Sequence, residues 1–413
     1  MNNKGKTLKW ALAAVFVGNA LEWFDLVIFG YFAAIFAKLF FPTESNAAAL
    51  SFAFGAFGVT FLFRPIGAVV IGAYADRHGR KAALLLSAAL MTIGTTIIAV
   101  LPTYAAIGLA APSLLIFARI IQGISAGGEF GSVTTFLAEQ DAKRRGFFAS
   151  WQFSSQGLTA LLATLFGVLL ANFLSPADLE NWGWRVPFVF GMLLGPIAYL
   201  IRLYAIETPE FRPAQSPLRQ FASDGWTRAL ISISAVTLGT VVTYTIIFLP
   251  TYTRIYLGFT TQQGFIGGLL TASILITVTP LAGALSDRYG RLILMAIPAA
   301  LIFFAGPPSF GWLAANPTFE RLLVVQAAVG LFGACYLGAL PALMSELFPA
   351  SYRTTGLSVS YALGVTCFGG FAPLINTWLI EATGSVLAPS FYLTCAAGIS
   401  LAGLGVARRF GIK

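Results

Sequence analysis

Gly72-Ala-Tyr-Ala-Asp76-Arg77-His78-Gly79-Arg80 returns 211 residues later as Gly283-Ala-Leu-Ser-Asp287-Arg288-Tyr289-Gly290-Arg291, and each copy closes one long apolar run and precedes another. A charged turn repeated half a chain apart between hydrophobic segments describes two related membrane halves. Internal repeats of this kind are how many transporters are built.

The composition agrees with the repeat. Of 413 residues 57% are hydrophobic and 10% charged, with a mean hydropathy of +0.81, where a soluble domain carries about 25% charged residues. Runs long enough to cross a bilayer, roughly 20 residues each, lie near 10–40, 48–73, 82–102, 113–140, 147–173 and 184–206, and again near 229–256, 264–286, 292–313, 321–345, 355–380 and 387–408. They are continuously apolar rather than alternating, which selects helices over barrel strands. The expected fold is therefore an all-α membrane protein of twelve transmembrane helices in two pseudo-symmetric six-helix bundles, 1–206 and 229–413. Residues 207–228 form the one extended polar stretch; its prolines disfavour a continuous helix, so it is expected to be a tether.

With the N-terminus inside, 19 Lys and Arg fall on the cytoplasmic side and four outside, at Lys38, Arg185, Arg254 and Arg321. That asymmetry predicts both termini in the cytoplasm. The net charge of +9 is spread over short loops facing anionic lipid, so a nucleic-acid partner is not expected. The first apolar run is too long for a cleaved signal and lacks a small-residue cleavage site. Cys335, Cys367 and Cys395 are unclustered and His78 stands alone, so neither a disulfide framework nor a metal site is expected. There is no GxxxxGK[ST] loop for a nucleotide, no nucleophile-base constellation for an enzyme and no cofactor signature. Transport driven by an ion gradient is the expectation.

Five ionisable residues fall inside predicted spans, all in the first half: Glu22, Asp25, Arg64, Arg119 and Glu129. A charge at the bilayer centre costs about 2.5–3.5 kcal/mol on the mildest scale, so such groups face a cavity or one another. Glu22 and Asp25 are three apart on one helical face that Asn19 extends. Beside Arg119 and Arg64, one carboxylate is held ionised and the other raised toward neutral pH, as proton coupling requires; a static ion-pair network is the structural alternative. Arg64 precedes Pro65 and serves either as a snorkelling anchor or, with Arg119, as an intramembrane cation for an anionic substrate. Ser150-Trp-Gln152-Phe-Ser-Ser155-Gln156 places Gln152 and Gln156 on one inward face, for ligand or for packing. The second half offers hydroxyls and aromatics, with Tyr244, Tyr252 and Tyr336 able to close over a polar ligand.

Both GxxxDRxGR turns, Arg119-Ile-Ile-Gln122-Gly123-Ile-Ser-Ala-Gly127-Gly128-Glu129, and Glu139 and Glu346 before basic turns together resemble the major facilitator superfamily over essentially the whole chain. Gly18-Asn19-Ala-Leu-Glu22-Trp23-Phe24-Asp25, Phe63-Arg64-Pro65-Ile66-Gly67 and Trp182-Gly-Trp-Arg-Val-Pro187-Phe188 look like its metabolite:proton symporter family, whose members import organic acids or zwitterionic osmolytes. The helix-five serine and glutamine pattern and Pro250-Thr-Tyr252 look most like the citrate and tricarballylate symporters. Those relatives carry asparagines where this chain has Ile274 and Leu337.

The resemblance implies import of citrate or a related tricarboxylate with protons by a monomer in the bacterial inner membrane. It implies a proton switch at Asp25 and Arg119, with Glu22 and Glu129 as understudies. Substrate contacts would come from Asn19, Arg64, Arg119, Gln122, Gln152, Gln156, Tyr244, Tyr252 and Tyr336. Gates are implied at Asp76, Arg77, Arg80 and Glu139 in one half and at Asp287, Arg288, Arg291, Glu346 and Arg353 in the other, with Asp76 or Asp287 capping a neighbouring helix. Osmolyte members carry a long charged C-terminal extension, whereas this sequence stops at Lys413, a few residues past helix twelve.

Overall fold

A computed structural model describes residues 3–78, 80–203 and 217–411, with side chains excluded at 3–15, 22, 72–73, 75–84, 128, 194, 196–203 and 217–218. Twelve helical spans follow one another. The first half comprises α1 (Asn3–Tyr31, continuing as Ala33–Phe40), α2 (Asn46–Leu62, then Arg64–His78), α3 (Arg80–Val100), α4 (Ala110–Ala138), α5 (Arg145–Phe173) and α6 (Val186–Leu203). The second comprises α7 (Trp226–Tyr256), α8 (Thr261–Tyr289), α9 (Arg291–Ala315), α10 (Phe319–Leu347), α11 (Arg353–Thr383) and α12 (Ala388–Ala407). Among the described residues nine of these are long and apolar enough to cross a membrane, and the α1 pair, bent by 62°, makes ten. The described parts of α3 and α6 are shorter.

The exposed faces are apolar, with Phe173 and Phe304 three-quarters exposed, as lipid-facing walls must be. Inside, small residues set the distance between helices. Gly123 of α4 lies against the Thr60 carbonyl of α2, and Gly127 against the Arg64 carbonyl one turn on. A side chain at either position would push α2 off α4, so the glycines of the helix-four phrase fix the depth at which Arg64 and Arg119 stand together.

Two helices are broken near the centre. A 3₁₀ turn, Ala126–Gly128, interrupts α4 just before Glu129, and a π-helical turn, Val365–Gly369, interrupts α11. Such bulges free carbonyls and re-aim side chains, and they recur at functional sites. Here the π turn faces the first half: Thr366 Oγ1 donates to the Phe61 carbonyl at 2.9 Å.

The expected tether is partly helical. Pro217–Asp224 forms a short helix whose Phe221 is buried against Trp226, Phe348 and Tyr352. Proline interrupts helix interiors but is tolerated in the first turn, where its missing N–H has no partner to lose. The linker residues 207–216 lie outside the described residues.

Candidate functional site

The two halves meet around a cavity. Its wall is Trp23, Val27 and Tyr31 from α1, Phe153, Gln156, Thr159 and Ala160 from α5, Thr243, Ile246 and Ile247 from α7, Leu275 from α8 and Leu337 from α10. The polar groups are few, and two are already engaged. Thr159 donates to the Ala20 carbonyl at 2.7 Å and Thr243 to the Gly239 carbonyl at 2.8 Å. The Tyr31 hydroxyl and the Gln156 amide nitrogen have no hydrogen-bond partner, although both side chains are at least nine-tenths buried.

Behind this wall stands a charged cluster. Arg119 is fully buried; its Nη1 donates to Gln122 Oε1 at 2.8 Å and its Nη2 to the Leu26 carbonyl at 3.1 Å. Gln122 is itself held by donating to Thr95 Oγ1 at 3.0 Å, so its role toward Arg119 is orientation. The guanidinium lies over Phe29 and Phe57, with centroid distances of 4.6 and 5.4 Å, a packing in which the ring faces replace part of the lost hydration. Asp25, 5% exposed, places its carboxylate against the bare Cα of Gly191 on α6. Asp25 and Tyr244 both lie within electrostatic range of Arg119.

Arg64 is the second buried cation. Its Cζ sits 4.6 Å from the Trp23 centroid and 5.2 Å from that of Phe61, and its Nε has no partner. Tyr361 of α11 lies close to both Arg64 and Gln156. It is fixed by stacking on Phe130 of α4 at 3.4 Å with rings 3° from parallel. Tyr244 completes the group, its ring against Phe61 at 5.0 Å and its hydroxyl unpartnered. Charges from one half and phenols from the other therefore meet beside the cavity.

The halves touch at both ends. At the end bearing the charged turns, Asp287 of α8 accepts from the backbone N–H groups of Gly146 and Phe147 at 2.7 and 2.9 Å, so a second-half carboxylate caps the first turn of α5. Asp287 also pairs with Arg291 at 2.7 Å, Arg291 with Glu346 at 3.1 Å, and Arg353 with Glu139 across the halves at 2.7 Å. Gly146 and Gly283 meet backbone to backbone, leaving no room for a Cβ on either. At the other end, Gly30 rests on Ile247, Phe54 on Phe248 and Phe32 on Phe265.

The major facilitator superfamily model matches residues 15–312 and again 261–410. The chain belongs to the major facilitator superfamily. It is a transporter of that superfamily and not an enzyme. A citrate-proton symporter of Klebsiella pneumoniae is 37% identical over 394 residues, 94% of this chain and 89% of the relative. An alpha-ketoglutarate permease of Escherichia coli (strain K12) is 34% identical, covering 95% and 91%. A putative proline/betaine transporter of Staphylococcus haemolyticus is 33% identical, covering 94% and 85%. The solved structure of the proton:xylose symporter XylE bound to 6-bromo-6-deoxy-D-glucose superposes with a TM-score of 0.76 at 19% identity, covering 97% of this chain and 94% of that one. That likeness carries the fold.

Within this facilitator the structure gathers Asp25, Arg119, Gln122, Arg64, Gln156 and Tyr244, and separates others from them. Tyr252 and Tyr336, two of the three tyrosines expected to close over a ligand, are engaged elsewhere in this structure. Tyr252 donates to the Val386 carbonyl at 2.8 Å and Tyr336 to the Ala235 carbonyl at 2.7 Å, so both hydroxyls pin second-half helices and neither faces the cluster. Asn19 is likewise a pin, donating to Ser155 Oγ at 2.5 Å, with Gln152 at 3.4 Å from its amide oxygen. Glu129 opens the second segment of α4, half-buried. Arg288 is exposed over Tyr289 rather than joined to the Asp287 network. The side chains of Glu22, Asp76, Arg77 and Arg80 lie outside the described residues. Tyr361 and Tyr31 were not anticipated; the available signal was a tyrosine at mid-span, Tyr361 following Ser358 and Ser360.

Proposed function

We propose that this chain is a proton-coupled symporter that imports a small organic acid by alternating access of two six-helix bundles. Both termini and the charged turns would lie in the cytoplasm of a bacterial inner-membrane protein. The observation that carries the proposal is that Asp25 and Arg119, both buried, lie within electrostatic range of each other behind a cavity between the halves. A buried guanidinium without a counter-charge is strongly disfavoured. While Asp25 is ionised it supplies that charge; when Asp25 takes a proton, the positive site is restored to balance by the carboxylate of a substrate. Proton and anion therefore load together. Gln122 keeps Arg119 oriented throughout, and Arg64, Gln156, Tyr244 and Tyr361 form the corner that receives the substrate carboxylate. The latch at Asp287, Arg291, Glu346, Glu139 and Arg353 would close the cytoplasmic side.

Organic acids lead because relatives named for citrate and alpha-ketoglutarate span nearly the full chain. The proline/betaine relative and the Trp23 face in the cavity wall favour a second reading, a zwitterionic osmolyte held by a cation–π contact. Arg64 already occupies a face of that ring, which weighs against a second cation there. The test is uptake into proteoliposomes under an imposed inward proton gradient. Di- and tricarboxylates, monocarboxylates and glycine betaine are offered as labelled substrates or competitors. Gradient-driven accumulation of an acid, lost in Asp25→Asn while acid exchange persists, supports the proposal. Accumulation of betaine alone, or unchanged accumulation in Asp25→Asn, overturns it.

A further inference from the structure

The cavity wall contains far fewer donors than a polycarboxylate requires. Each ionised carboxylate presents two oxygens with about four acceptor sites, and burying one without donors costs several kcal/mol. Thr159 and Thr243 give their hydroxyl protons to backbone carbonyls. What remains inside is the Gln156 amide nitrogen and the Tyr31 hydroxyl, both buried and unpartnered, and the indole N–H of Trp23. The Gln156 and Tyr31 backbones stand apart. Thr159, one turn beyond Gln156 on α5, bonds Ala20 of α1, whereas Tyr31 lies 11 residues further along α1, about 16 Å along the axis at the usual rise.

At the Gln156 end Tyr361 stands beside both Gln156 and Arg64, whereas Arg119, over Phe29 and Phe57, is not part of the wall. Between the two donors the wall is Val27, Ala160, Ile246, Ile247, Leu275 and Leu337. One carboxylate is thus accommodated at the Gln156 corner. A second or third would be pressed against aliphatic side chains.

We infer that the cavity takes an organic anion with one carboxylate and an apolar body, an aryl- or branched-alkyl monocarboxylate, in preference to a di- or tricarboxylate. The inference rests on the organic-acid proposal above and narrows it. The carboxylate binds at Gln156, Tyr361 and Arg64; the body fills the aliphatic wall; Tyr31 serves a single hydroxyl or carbonyl at the far end.

The experiment is calorimetric titration of the whole purified protein with butanoate, 4-methylpentanoate and phenylacetate, against succinate, tricarballylate and citrate. The uncharged 4-methylpentanol controls for partition into detergent. The expected result is at least tenfold tighter binding of 4-methylpentanoate than of tricarballylate, and tightening of roughly fourfold per added methylene, which corresponds to about 0.8 kcal/mol. Gln156→Ala removes monocarboxylate binding, Leu337→Asn weakens it about tenfold, and Tyr252→Phe, remote from the cavity, leaves it unchanged. Affinity that does not rise with the apolar body, or citrate or tricarballylate binding as tightly as 4-methylpentanoate, overturns the inference while leaving organic-acid symport intact. If none of the six acids binds and none is carried under a proton gradient, the symport proposal falls with it.

Discussion

Replacing Asp287 by asparagine tests whether the charged end is held shut by the capping of α5. The Asp287 carboxylate accepts two backbone N–H bonds at 2.7 and 2.9 Å and an ion pair with Arg291 at 2.7 Å. The side chains of the pair are only 12% and 9% exposed, so solvent screens them little. Asparagine keeps one acceptor oxygen, loses the charge and turns an NH₂ group toward the other backbone donor. Hydrogen bonds to charged groups contribute about 1.5–3 kcal/mol each, while Arg291 keeps Glu346 at 3.1 Å. The closed arrangement is therefore weakened by about 2–4 kcal/mol, a shift of roughly 30- to 900-fold toward opening at that end.

Spin labels at Thr135 and Thr354, whose hydroxyls lie 3.3 Å apart across the halves, read this directly once Cys335, Cys367 and Cys395 are replaced by serine. The expected result is a long-distance population in Asp287→Asn that is minor or absent in the parent. An unchanged distance distribution would show that Arg353 with Glu139 and the glycine contact hold the end closed without the cap, and the reasoning above would be refuted.

Gly146→Ala places a methyl where the Gly283 carbonyl, Ser286 and Arg291 stand; the same label pair is expected to lengthen, with transport falling at least tenfold. Tyr361→Phe, which removes the hydroxyl beside Arg64 and Gln156, is expected to raise KM with a smaller effect on kcat. Tyr252→Phe, which loses the bond to Val386, lowers thermal stability by about 1 kcal/mol and leaves KM unchanged. Gln122→Ala frees Arg119 from the anchor at Gln122 Oε1 and leaves the one at the Leu26 carbonyl, and is expected to shift the pH profile of uptake; an unchanged profile would refute its orienting role.

The twelve spans were legible because hydropathy and a 211-residue repeat are properties of the chain itself. The charged cluster was legible for a related reason: an ionisable residue in a hydrophobic run is costly wherever it points, so Asp25, Arg64 and Arg119 announce themselves before any contact is known. Tyrosines do not. Tyr252, Tyr336 and Tyr361 each carry one hydroxyl on a helix, and which of them finds a carbonyl depends on a partner remote in sequence, Val386 or Ala235 for the first two. The Pro217–Asp224 helix escaped because proline was weighed as a breaker rather than as a first-turn residue. Leu337, noted as a departure at sequence level, gained meaning only when it proved to line the cavity.

The cap on α5 recognises main chain rather than side chain. Asp287 binds the N–H groups of Gly146 and Phe147, and positions 146 and 283 carry no Cβ where their backbones meet. A lock keyed to peptide groups shares no side chain with the cavity wall, so the substrate cavity can be remodelled, by drift or by design, without retuning that part of the door. Halves from two different transporters that share this carboxylate and these two glycines could be joined, with selectivity supplied by the cavity walls and closure supplied ready-made.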